Sequence, residues 1–144
     1  MSRLDNIPIS IEVSGNVPGT WGNALPLLHE IRHGLQRLSE SGESSLIDLH
    51  AVPFGPGDED RLLRFLGRGE AQAEINALGL TRISESVFAG VWLVDHRNAN
   101  DERIAFQIEI TSIPEILRSQ PQDVHVALEA LNARLSGLEN IDEF

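Results

Sequence analysis

The tightest constraint on this chain is a run of four strand-like segments whose connections are too short for anything but hairpins. The segments are Glu70–Leu78, Thr81–Phe88, Val91–Arg97 and Arg103–Thr111. Parallel neighbours need a crossover of roughly a dozen residues or more, so links of a few residues leave antiparallel pairing as the available geometry. Val91-Trp92-Leu93-Val94 is apolar on both alternating faces, which predicts a central strand. Ile104, Phe106, Ile108 and Ile110 alternate with Ala105, Gln107 and Glu109, giving one apolar and one wet face.

The segments on either side predict helices and one more pair of strands. Ile7, Ile9, Ile11 and Val13 alternate as a strand would, with Pro8 marking an edge or a start. A helix is predicted from Ala24 to Glu40, with Asn23 as N-cap and Gly42 just past the end. Its apolar stripe is Leu28, Ile31, Leu35 and Leu38. Ser45–Ala51 reads as a short strand, so strand, helix and strand together predict a right-handed βαβ unit. After a Pro53–Gly57 turn, Asp58 caps a short helix that buries Leu62, Leu63 and Leu66 and stops at Gly67. Two capping-box patterns, Ser112–Glu115 and Ser119–Gln122, close the chain. The second opens a helix from Pro121 to about Ser136, expected to bury Val124, Leu128, Leu131 and Leu135, with a mobile acidic tail near 138–144. The sum is one α+β domain over residues 1–144: a mixed sheet with an N-terminal βαβ-like unit, an antiparallel meander and helices packed on the sheet.

Composition removes whole classes of chemistry. The 144 residues contain no Cys, which excludes disulfides, thiolate metal sites and cysteine nucleophiles from this chain. There is no Lys, since all eleven basic residues are Arg, so Schiff-base chemistry and a P-loop lysine are excluded as well. Twenty-two Asp and Glu give a net charge of −11, which repels phosphate backbones and argues against a nucleic-acid partner. No signal-peptide pattern and no apolar run of membrane-spanning length stands out, so a cytoplasmic location is expected.

One motif points to catalysis. His29-Glu30-Ile31-Arg32-His33 matches H-E-x-x-H on a predicted helix. Histidines four residues apart share a helix face and can grip Zn²⁺ together, while the Glu acts as general base on the metal-bound water. A catalytic zinc needs a third protein ligand. The extended form of the motif would place it at Ser39, which cannot serve, and nothing fixes a substitute among Asp58, Glu59 and Asp60. The same residues also read as the solvent-facing edge of an amphipathic helix, or as a weak surface metal site made by His29 and His33 alone. No cofactor is expected.

Two other places could contact a partner. Asp95-His96-Arg97-Asn98 ends the central strand and is either a polar cluster able to grip a carboxylate or peptide backbone, or a strand end turning into an Asn-rich hairpin. Trp21 lies in the Gly-flanked loop Gly19-Thr20-Trp21-Gly22, where it would be a lid over the core or an exposed contact.

An ordered set of segments resembles the hydrogenase expression/formation family of the HupH/HyaF type, in its C-terminal conserved region. The segments are Gly22 through Ile31, Ile47-Asp48-Leu49, Pro53 through Asp58, Leu66 through Glu70, Ile75 through Gly79 and Gly90 through Asn98. The resemblance implies an accessory role in [NiFe]-hydrogenase maturation, as a chaperone that binds a hydrogenase subunit precursor, the small subunit above others. It carries over no catalytic residue. Its partners would be that precursor and other maturation proteins, with a homodimer as the default oligomer. Trp21, Asp95, His96 and Arg97 are then the candidate partner-binding residues. A zinc hydrolase through His29-Glu30-x-x-His33 and a nickel carrier through His29 and His33 are the alternatives.

Overall fold

A computed structural model describes residues 21–142. They fall into two compact units, 21–112 and 113–142. The first unit begins with helix α1 (Ala24–Ser41), followed by strand β1 (Ser45–Asp48), helix α2 (Asp58–Leu66) and strands β2 (Gln72–Asn76), β3 (Leu80–Glu85), β4 (Val91–Arg97) and β5 (Arg103–Ile110). The sheet order is β1-β5-β4-β3-β2, and every pairing is antiparallel. The expected meander is therefore β2 to β5, with β4 central. The strand expected at residues 7–13, and with it the first half of the βαβ unit, lies outside the described residues. The second strand of that unit is β1, which pairs antiparallel with β5 in the register Ser45↔Ile110. The α+β class stands, built on an antiparallel sheet among the described residues.

β1 is shorter than its apolar pattern predicts. The Asp48 carboxylate accepts from the His50 N–H at 3.0 Å, and this Asx turn bends the chain into a 3-10 turn over Leu49–Ala51.

The sheet has two differently clothed faces. On one, Val91, Phe106, Ile108, Ile110 and Ile47 pack with Ala24, Leu27 and Ile31 of α1 and Leu62 and Leu66 of α2. Each fully buried leucine in such a cluster contributes roughly 1.5–3 kcal/mol. On the other, Ile83, Trp92 and Val94 pack with Ala71, Ala73 and Ile75. The Trp92 indole N–H donates to the Thr111 carbonyl at 3.1 Å, so the ring is buried without a lost hydrogen bond.

α1 is rotated slightly from the expected stripe. Its most buried positions are Ala24, Leu27, Ile31 and Gly34, and Leu28, Leu35 and Leu38 are only partly buried. Gly34 suits this rotation. A Cβ there would lie 2.5 Å from Ile110 Cδ1 and 3.0 Å from Ser45 Oγ, so a larger residue would require the buried Ile110 side chain to shift. Gly42 ends α1 as expected, in the left-handed region with its N–H bonded to the Leu38 carbonyl at 2.9 Å.

The second unit is a 3-10 turn (Glu115–Leu117) followed by helix α3 (Pro121–Asp142). The first capping-box pattern thus yields a 3-10 turn with Pro114 at its start and no side-chain cap bond. The second opens α3, which runs six residues past the expected end at Ser136 and takes in residues 138–142 of the segment expected to be mobile. The valine and leucines expected to be buried are not: Val124, Leu128 and Leu131 are each 55% exposed and Leu135 46%. Heptad-like spacing shows that a stripe requires a cover but does not supply one. No described helix is long and apolar enough to cross a membrane.

The β2–β3 hairpin holds a strained residue. Leu78 has φ +56° and is 97% exposed, so it carries the left-handed penalty of a side chain while gaining nothing from burial. Leu78→Asn should therefore raise the unfolding free energy by about 0.5–1 kcal/mol in urea denaturation, with the m-value unchanged.

Candidate partner-binding groove

The groove begins with a carboxylate. Asp58 is the first residue of α2 and is only 4% exposed. The sequence presents it as a helix cap, but the cap position is Gly57, held at φ +81°. The Asp58 side chain turns back instead, accepting from the Gly55 N–H at 2.7 Å and the Asn23 N–H at 3.2 Å, while Arg61 donates to it at 3.0 Å. Asn23 therefore stands at the start of α1 as expected, but its side chain does not cap. It donates to the Pro53 carbonyl, and the α1 N-terminus is served by Asp58 from 35 residues away. A carboxylate beside the positive end of a helix is favourable, and here it serves two helices. Gly22, at φ +52°, lies where any Cβ would strike this carboxylate, which fixes the turn that delivers Trp21.

With α1 and α2 locked at their starts, three aromatic rings meet. Trp21 and Phe65 pack edge to face with centroids 5.9 Å apart, and Phe65 stacks on Phe88 at 5.7 Å and 21°. The whole chain has seven aromatic residues, five Phe and two Trp, so three of them lie in one place. Together with Leu25, Leu28 and Leu35 of α1 they line an open apolar groove of about 460 Å³, with His29 and Arg32 also along it. Phe65 (47%) and Leu25 (46%) remain substantially exposed. Among the described residues this aromatic and aliphatic trough stays open with Arg32 along it, which suits an apolar peptide segment that carries an acidic group.

The sequence-predicted residues separate into different places. Trp21 is part of the groove wall. His29 lies along the groove, and both His29 and His33 stand on the exposed side of α1. Among the described residues no group of three or more His, Asp or Glu could hold a metal ion. Asp95, His96 and Arg97 belong to a polar cluster elsewhere on the sheet. Asp95 receives Arg97 at 3.3 Å and Arg103 at 3.2 Å, and Arg103 also reaches Glu59 at 3.7 Å and lies 3.9 Å over the Phe106 ring. His96 Nδ1 shares a hydrogen bond with Thr81 Oγ1 at 3.1 Å. Asn98 accepts from the Asn100 and Glu102 N–H groups, forming the polar hairpin. These groups are engaged with one another. Leu25, Arg32, Phe65 and Phe88 were not candidates from sequence, because no periodicity connects positions 25, 65 and 88.

Residues 22–138 match the family described as HupH hydrogenase expression protein, C-terminal conserved region. The chain belongs to that family. A solved structure, the hydrogenase expression protein HupH from Thiobacillus denitrificans, is similar with a TM-score of 0.77 and 43% identity, over 81% of this chain and 97% of that one. The hydrogenase expression/formation protein HoxQ of Azotobacter vinelandii is 28% identical over 127 residues, 87% of this chain and 45% of the relative. HoxQ of Cupriavidus necator is also 28% identical, over 88% of this chain and 45% of its own length. The chain thus spans about half the length of the two HoxQ relatives. It matches a family of hydrogenase expression accessory proteins, and every groove residue except Trp21 lies within the matched residues.

The carboxylate at the groove's root makes a stability prediction. Asp58→Ala leaves the Gly55 and Asn23 N–H groups without their acceptor and the Arg61 guanidinium without its partner, and should lower the unfolding free energy by about 3 kcal/mol. Glu59→Ala, which removes only a half-exposed ion pair, should cost less than about 1 kcal/mol in the same denaturation series.

Proposed function

We propose that this chain is a non-enzymatic accessory factor of [NiFe]-hydrogenase maturation that holds a hydrogenase subunit precursor, the small subunit above other partners, in the cytoplasm. The observation that carries this reading is the open aromatic groove. A family tied by name to hydrogenase expression, and a chain without cysteine or lysine, support binding as the mode of action. The groove supplies an apolar surface for it that is open among the described residues. Trp21, Phe65, Phe88 and Leu25 act as anchors, because large rings in a partly desolvated trough carry most of the energy of such contacts. Arg32 fixes the register by pairing with an acidic group of the client. The cluster of Asp95, His96 and Arg97 is a second contact at the end of β4.

The zinc-hydrolase and nickel-carrier readings are not favoured. A catalytic zinc needs a third protein ligand, and none accompanies His29 and His33 among the described residues; a family tied by name to hydrogenase expression lends the nickel carrier no specific support.

The test uses purified small-subunit precursor as bait and this chain as prey. Phe65→Ala and Leu25→Ala should each weaken capture by about tenfold, a loss of about 1.4 kcal/mol, with unchanged circular dichroism. Arg97→Ala should weaken it less, through the second contact. Undiminished capture by the Phe65 and Leu25 variants would remove the groove from this role. Capture of the large subunit in preference to the small would correct the choice of client.

A further inference from the structure

We propose that α3 is one strand of a parallel two-helix coiled coil, and that its partner is α3 of a second copy of this chain. The stripe Val124, Leu128, Leu131, Leu135, Leu138 has spacings of four, three, four and three residues. That is an unbroken 3.5-residue period over two heptads, the pattern of a seam that faces another helix. A stripe meant for a broad sheet would drift toward 3.6 residues and spread wider. All five residues lie between 46% and 58% exposed. The seam is bounded at both ends, since its next positions are Pro121 and Asp142.

The flanking residues identify the partner as a second copy. With Leu128 and Leu135 at a, the e positions are His125, Asn132 and Glu139, and the g positions include Ala127 and Arg134. In a parallel pair, a g residue faces the e residue five positions later on the other helix. Arg134 therefore meets Glu139 of the second copy, and two-fold symmetry makes this pair twice. In an antiparallel pair g faces g and e faces e, so the g position of Arg134 meets that of alanine, isoleucine or another arginine and never that of Glu139. The charge pattern complements itself in one orientation only.

The seam is short. A 22-residue helix is about 33 Å long, and two heptads bury on the order of 1,000 Å², near the lower limit for a specific interface. The charge of −11 on each copy opposes association. The dimer should thus have a micromolar dissociation constant and tighten as salt is raised from low ionic strength, because screening relieves the net repulsion.

Sedimentation equilibrium on the full chain tests this. A dimer is expected at about 100 μM that dissociates toward 1 μM. Leu131→Glu should leave it monomeric across that range with its helical circular dichroism intact. Arg134→Glu should weaken the dimer by about threefold or more, and adding Glu139→Arg should restore it. Because the chain has no cysteine, Leu138→Cys reports orientation directly: a parallel pair brings the two sulfurs together and oxidises readily to a covalent dimer. A monomer at all concentrations, a dimer indifferent to Leu131→Glu, or a Leu138→Cys variant that fails to cross-link would each overturn the proposal. None of these outcomes depends on the client-binding groove, so the two readings stand or fall separately.

Discussion

The first unit is organised by one buried carboxylate. Asp58 answers N–H groups at the start of α1 and in the turn before α2, and neutralises Arg61 as it does so. An ionised group with so little exposure is tolerated only where its lone pairs are filled, and once filled it resists every displacement of the segments that fill them. The two helices therefore meet the sheet with their beginnings tied together. Trp21, just upstream, is delivered onto Phe65 by the same knot. The groove is consequently a product of polar chemistry beneath it, although its walls are apolar.

The sheet keeps the two chemistries apart. β4 contributes Val91 and Leu93 to the helix-covered face and Trp92 and Val94 to the other. Beyond the helices, the covered face ends in charge, with Asp95 between Arg97 and Arg103 and the guanidinium of Arg103 flat on Phe106. The arginine shields the edge of the core while reaching across to Glu59 of α2. The absence of lysine suits this design, because a planar guanidinium can stack and pair at once where an ammonium cannot.

Much of this was legible from local pattern. β4 runs from Val91 to Arg97 as its two-faced apolarity predicts, and the meander follows from connection length. Features made by distant residues were not legible. Asn23 marks the start of α1, yet the acceptor that serves it lies in another helix. The buried stripe of α1 lies one position from the one its leucines predict, because Ala24 and Gly34 add little hydrophobicity while permitting close packing. The spacing of Leu128 and Leu131 predicts burial that the structure does not show, because periodicity reveals an apolar face and is silent about what meets it. Trp21, Phe65 and Phe88 are scattered in the chain, and only the tertiary fold brings them to one trough. The H-E-x-x-H pattern illustrates the converse, since its spacing is satisfied while its surroundings offer no completing ligand among the described residues.

The pairing of β1 with β5 has a consequence for the order of events at birth. β2, β3 and β4 are joined by tight hairpins and can zip locally as soon as they emerge, whereas Ser45 must wait for Ile110. α1 rests on that last strand through Gly34 and Ile110. A nascent chain halted before β5 would hold a preformed hairpin stack but no seat for its first helix. The apolar trough would then be completed abruptly, when synthesis passes the final strand, and the half-made protein would lack it until that moment.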